Sequence, residues 1–248
     1  MLTEEEKIVN KEQQRSGLLD YINYPEIQVW KRAVLLSIGN IFSLTIVAFV
    51  VVLIMTLARH PDVETASDYI CYSIIFAAYL AVIIFDIPKA GKILKRWEPY
   101  VVGLAFGITI LILDNAYINL INLFYPATTS GNEEAIRKAI DAYPVASIFI
   151  FGLVGPMCEE LAYRSGLFGL LRKWRRLPAY LITAIIFGLI HFQYTSTDLV
   201  REFLFLPSYI VPGVLFCAAY DLYGLPCSYT AHAFNNLFAV VGYLVTKE

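Results

Sequence analysis

Charge is what this chain has least of. Only 16% of its 248 residues are Asp, Glu, Lys or Arg, where a soluble domain carries roughly a quarter. With 58% apolar residues and a mean hydropathy of +0.61, the shortage excludes an ordinary water-soluble fold and places the chain in a bilayer. A net charge of −2, with no basic patch interleaved with aromatics, excludes nucleic-acid binding. Residues 1–32 are polar and charged without an apolar core, so no cleaved signal peptide is expected. No internal repeat and no low-complexity linker appears. The cysteines Cys71, Cys158, Cys217 and Cys227 lack paired metal-type spacing and are expected to be small, reduced packing residues.

What is present is a series of apolar runs near the 20 residues needed to cross a hydrocarbon core. They cover 33–57, 69–85, 100–125, 143–171, 177–192, 203–220 and 225–245. The expected fold is an all-α polytopic transmembrane helical bundle of about seven to eight spans. It divides into an N-terminal cytoplasmic or interfacial segment (1–32), N-terminal transmembrane helices (33–142) and a C-terminal transmembrane core (143–248). Residues 17–30 are a candidate interfacial helix, and Glu133 to Ala142 is amphipathic, with Ala135, Ile136, Ala139 and Ile140 on one side.

Basic residues alternate between loops. Lys7, Lys11, Arg15, Lys31 and Arg32 precede the first run. Lys89, Lys92, Lys95 and Arg96 follow the second, and Arg172, Lys173, Arg175 and Arg176 follow the fourth. The other loops hold Arg59, Arg137, Lys138 and Arg201, and Lys247 lies in the tail. By the positive-inside bias the N-terminus is cytoplasmic.

The rare charges then stand out. Glu159, Glu160 and Arg164 lie inside one run, and two of the three histidines, His191 and His232, lie inside others. A charge at bilayer depth costs on the order of 2.5–3.5 kcal/mol on insertion scales. Neighbouring helical residues point about 100° apart, so the two glutamates cannot share a direction. Arg164, four residues after Glu160, meets it on one face and neutralises it. Glu159 must find its partner on another helix. At about 1.5 Å per residue, Glu159 lies roughly 20 Å from Arg172, His191 roughly 22 Å from Arg176 and His232 roughly 16 Å from Asp221, so one shared site is expected. Pro156 cannot donate to the carbonyl of Gly152 and is expected to bend the helix one turn before Glu159. Phe187 shares a face with His191, and Asn236 shares one with His232.

These residues resemble the CAAX protease and bacteriocin-processing (CPBP, or Abi) family of intramembrane peptidases. Glu-Glu-x-x-x-Arg stands at Glu159–Arg164, Phe-x-x-x-His at Phe187–His191 and His-x-x-x-Asn at His232–Asn236. The resemblance covers 143–245, with Ser165 where members often carry Gly. It implies that 143–248 is a catalytic core and that the substrate is a membrane-embedded peptide or protein, such as a prenylated tail, a leader or a pheromone precursor. It also implies a cell-membrane location, expected to be bacterial. Glu159 would activate water, His191 would orient it or protonate the leaving group, and His232 and Asn236 would stabilise the oxyanion. Glu160 and Arg164 would support them. Glu159, His191 and His232 also form an acceptable zinc set. Without a His-Glu-x-x-His helix the metal-free chemistry is preferred.

Two other classes use the same residues: a non-catalytic membrane immunity or interaction protein, and a proton-coupled transporter. The second would carry inverted repeats, which are not seen. Asp114, Asn115, Asn119 and Asn122 add polarity to the third run, the three Asn in one stripe. Interhelical hydrogen bonding is preferred for them over a cavity wall. Pro212-Gly213 is expected to kink the sixth run.

Overall fold

A computed structural model of the protein describes residues 27–87, 91, 94–125 and 129–247. Lys7, Lys11, Arg15, Lys89, Lys92 and most of the expected interfacial helix 17–30 lie outside the described residues. The helices, in order, are α1 (29–57), α2 (Val63–Ile83), α3 (Glu98–Asn122), α4 (Gly131–Ala142), α5 (Pro144–Leu171), α6 (Arg176–Ile190), α7 (Leu199–Tyr223) and α8 (Leu225–Thr246). Among the described residues there is no strand, and the protein is an all-α membrane bundle. Thr65–Ile83, Glu98–Asn122, Pro144–Leu171 and Leu199–Tyr223 are long and apolar enough to cross a membrane, while Ala48–Leu57 and Arg176–Ile190 are apolar but shorter.

Local chemistry sets the helix starts. Asp62, Ser130 and Asp198 each precede a helix and accept from the backbone N–H three residues on, at 3.1, 3.2 and 3.0 Å, which satisfies an otherwise orphaned donor. Gly224 alone joins α7 to α8, at φ 67° and ψ −159°, a backbone conformation that a side chain would strain.

Small residues let the helices approach. A Cβ at Gly103 would lie 2.6 Å from the Cys227 carbonyl oxygen, and one at Gly107 2.7 Å from the Phe234 ring. This small-xxx-small face seats α3 on α8, and Asn235 Nδ2 donates to the Gly107 carbonyl at 3.1 Å. Gly213 meets the Ala184 backbone, joining α7 to α6. α1 lies along the later half of α5, where buried Arg32 donates to the Ser165 carbonyl at 2.8 Å and Tyr163 donates to Asn40 at 2.9 Å. Cys158, Cys217 and Cys227 are buried and free, as a packing role requires, and Cys71 is half-buried and free.

Four expectations change. First, α5 runs in π register at 150–154, and the Gly155 N–H bonds to the Ile150 carbonyl five residues back. In that register the carbonyl that Pro156 leaves without a donor is Phe151's, not Gly152's. Second, Ala135 faces outward from α4, while Ile136, Ala139 and Ile140 turn inward. Third, His191 is not within the regular helix: α6 stops at Ile190 and His191 caps its end. Fourth, Asn115, Asn119 and Asn122 are exposed, and among the described residues none of them hydrogen-bonds to another helix.

Candidate active site

The site forms where α5, α6 and α8 bring their rare polar residues together. Glu159 Oε2 faces His232 Nε2 at 3.6 Å and His191 Nε2 at 3.9 Å. Both gaps are too long for a direct hydrogen bond. The oxygen is buried and has no hydrogen-bond partner among the described residues. Glu159 and His191 keep a small exposure, whereas Glu160 and Arg164 are sealed.

The second nitrogen of each imidazole fixes what the first can do. His191 Nδ1 lies 2.7 Å from the Phe187 carbonyl. A carbonyl only accepts, so Nδ1 carries the proton. His232 Nδ1 lies 2.9 Å from Glu160 Oε1, which is also 3.0 Å from Arg164 Nη1. The Arg-paired carboxylate accepts, so His232 Nδ1 is likewise the donor. Each Nε2 is thereby directed at Glu159.

Aromatic rings hold these groups in place. The Arg164 guanidinium lies 4.1 Å from the Phe187 ring centre and 4.9 Å from that of Phe216, a cation enclosed by π faces. Phe216 stacks on His232 at 4.4 Å and 19°. Phe187 lies 4.8 Å from the His191 ring, as their shared face implied.

Two further residues belong here that the sequence did not single out. Tyr209 of α7 stacks flat on His191 at 4.7 Å and 13°. Its hydroxyl shares a hydrogen bond of 2.6 Å with Ser130 and accepts from Asn132 Nδ2 at 3.4 Å, both at the start of α4. Glu202, also buried, accepts from the Gly131 N–H at 2.9 Å and the Gln193 N–H at 3.4 Å. It ties the loop after His191 to α4. Tyr209 is one of 17 tyrosines and carries no spacing that marks it. Glu202, an acid immediately before an apolar run, was the one available signal.

Asn236 makes its hydrogen bond to the backbone of α5 rather than to Glu159 or a histidine. Its Nδ2 donates to the Phe151 carbonyl at 3.0 Å, supplying the donor that Pro156 lacks. One N–H of its amide remains. Histidine and carboxylate are suitable zinc ligands, yet among the described residues no three His, Cys, Asp or Glu side chains are grouped to hold a metal ion.

The family model for type II CAAX prenyl endopeptidase, Rce1-like, matches residues 141–238. This segment is Rce1-like. It contains all three motifs and the whole Glu159 cluster. The chain is also 25% identical over 232 residues to the UPF0177 protein YvdC of Lactococcus lactis subsp. lactis (strain IL1403), covering 86% of this chain and 84% of that protein. It is 28% identical over 153 residues to the membrane-embedded CAAX protease MroQ of Staphylococcus aureus (strain USA300), covering 58% of each. No solved structure matches. The Rce1-like segment spans α5 to most of α8, while α1, α2 and α3 pack around it.

Proposed function

We propose that the protein is an intramembrane endopeptidase acting on a membrane-associated peptide or protein tail, with Glu159 as the general base. The observation that carries this is the convergence of Glu159 Oε2 with two imidazole Nε2 atoms at 3.6 and 3.9 Å. A water among them has two hydrogens to donate, one to Glu159 and one to His191 Nε2. His232 then takes a different role. Its Nδ1 is bound to the Glu160 carboxylate, which leaves Nε2 as the nitrogen that meets the scissile carbonyl oxygen, donating to it as N–H.

Water attacks the carbonyl carbon as Glu159 takes its proton. The oxyanion is met by His232 Nε2–H and by the remaining N–H of Asn236. As the C–N bond breaks, Glu159 returns the proton to the leaving amine. No step is routed through a metal. The proposed location is a bacterial cell membrane with a cytoplasmic N-terminus, supported by the alternation of basic loops.

Cleavage of a candidate membrane peptide by wild type and by Glu159→Ala, reconstituted in vesicles, tests the reading. Equal activity in the two would sink it. Metal content of the purified protein tests the metal-free chemistry: stoichiometric zinc, lost in Glu159→Gln, would overturn it.

A further inference from the structure

We infer that the outward face of α3 is a contact surface between two copies of this chain in the membrane. The inference does not depend on the peptidase reading. Val101, Ala105, Ile108, Ile112, Asn115, Asn119 and Asn122 are all exposed, and their spacing alternates four and three along the helix. That is the spacing of a two-helix seam. The buried residues Gly103, Gly107, Ile110 and Ile121 lie on the other side, against α8 and the bundle. The stripe therefore points away from the Glu159 cluster and cannot wall its cavity.

The chemistry of the stripe says what covers it. Asn122 ends the helix, the end of a span that lies toward the headgroups. Asn115 lies about 10 Å further in, where lipid tails offer no hydrogen bond. Its Nδ2 donates to the Leu111 carbonyl of its own helix at 2.8 Å, which leaves its oxygen and one N–H for a partner. Copies inserted with the same topology are related in a closed dimer by a two-fold axis along the membrane normal. Such an axis sets α3 parallel to its counterpart and each Asn opposite itself at equal depth. An amide is both donor and acceptor, so Asn pairs with Asn, where a charged residue in the same place would repel its copy. Ala105, small and on the same line, allows close approach.

The test uses the full chain in vesicles. Single-cysteine replacements on the stripe, Asn115→Cys and Ile108→Cys, should form disulfide-linked dimers under mild oxidation. Leu113→Cys and Leu120→Cys, exposed but off the line, should stay at the wild-type background set by the native cysteines. Counting subunits by photobleaching should give dimers. Asn115→Leu/Asn119→Leu/Asn122→Leu should weaken the association by about 20-fold, as loss of three interhelical bonds implies. Among the described residues these side chains make no hydrogen bond to another helix, and if the triple variant fails to fold, the cysteine series decides. Monomers at every protein-to-lipid ratio, equal crosslinking on and off the line, or crosslinking of the stripe to a different protein would overturn the proposal.

Discussion

Glu160 accepts a hydrogen bond from His232 Nδ1 at 2.9 Å while it holds Arg164 at 3.0 Å. It is therefore more than a neutralising partner within its own helix. It joins α5 to α8 and sets which nitrogen of His232 faces Glu159. Removing one member of such a sealed pair leaves an unpaired buried charge, which costs about 3–5 kcal/mol. Glu160→Leu and Arg164→Met should each lower thermal stability by an amount in that range. The double variant should lose less than the sum of the two, measured by unfolding in detergent, and additive losses would contradict the coupling.

Asn236 offers a sharper separation of structure from chemistry. Asn236→Ala leaves the Phe151 carbonyl without a donor, at a cost of about 1–3 kcal/mol. Pro156→Ala restores an N–H at the position from which the π register would supply that carbonyl. In combination with Asn236→Ala it should recover stability. Cleavage should not recover with it if Asn236 also meets the oxyanion, so parallel melting and turnover assays distinguish the two roles.

Tyr209 is expected to act as a positioning residue for His191. Tyr209→Phe keeps the stacked ring and loses the short hydrogen bond to Ser130 and the long one from Asn132, so kcat should fall no more than about tenfold. Tyr209→Leu removes the ring and should lower kcat further with little change in KM. Acylation of His191 by diethyl pyrocarbonate, with exposed His60 as reference, should accelerate in Tyr209→Leu but not in Tyr209→Phe. An unchanged rate in Tyr209→Leu would show that the stack does not hold the imidazole.

Acid should loosen the start of α7. The Tyr125 hydroxyl, followed by the Arg201 backbone N–H, holds the Asp198 carboxyl below its ordinary range. A depressed carboxylate contributes stability that is present at neutral pH and lost as pH falls through its folded pKa, below the usual Asp value of about 3.9. Asp198→Asn keeps an acceptor for the helix start without the titration. Its melting temperature should fall less steeply than wild type between about pH 5 and pH 3.

Much of the site is legible in the sequence because membrane burial makes polarity rare. Glu159, Glu160, Arg164, His191 and His232 stand out against apolar runs, and a separation of four residues pairs Glu160 with Arg164 under the simplest helical geometry. The carbonyl freed by Pro156 is misread for the same reason: ideal α geometry names Gly152, and only the π register names Phe151. The Asn stripe reads as interhelical hydrogen bonding, with no partner helix named by its spacing. Its spacing along α3 is plain in the sequence, but the side of α3 that meets α8 is set by Gly103 and Gly107. Tyr209 and Glu202 act through partners 70 or more residues away, at Ser130 and Gly131, and no local spacing encodes such a contact.

By itself the sequence determined the solvent, the helical class and the residues too costly to bury without purpose, because hydropathy and helical period are local properties. Only the tertiary structure decided which nitrogen of each imidazole is free, which carbonyl Asn236 satisfies, and which face of α3 the bundle leaves uncovered. Those outcomes depend on how helices distant in sequence rotate and slide until their glycines, rings and buried charges fit. That fit is a property of the packed bundle, not of any one helix.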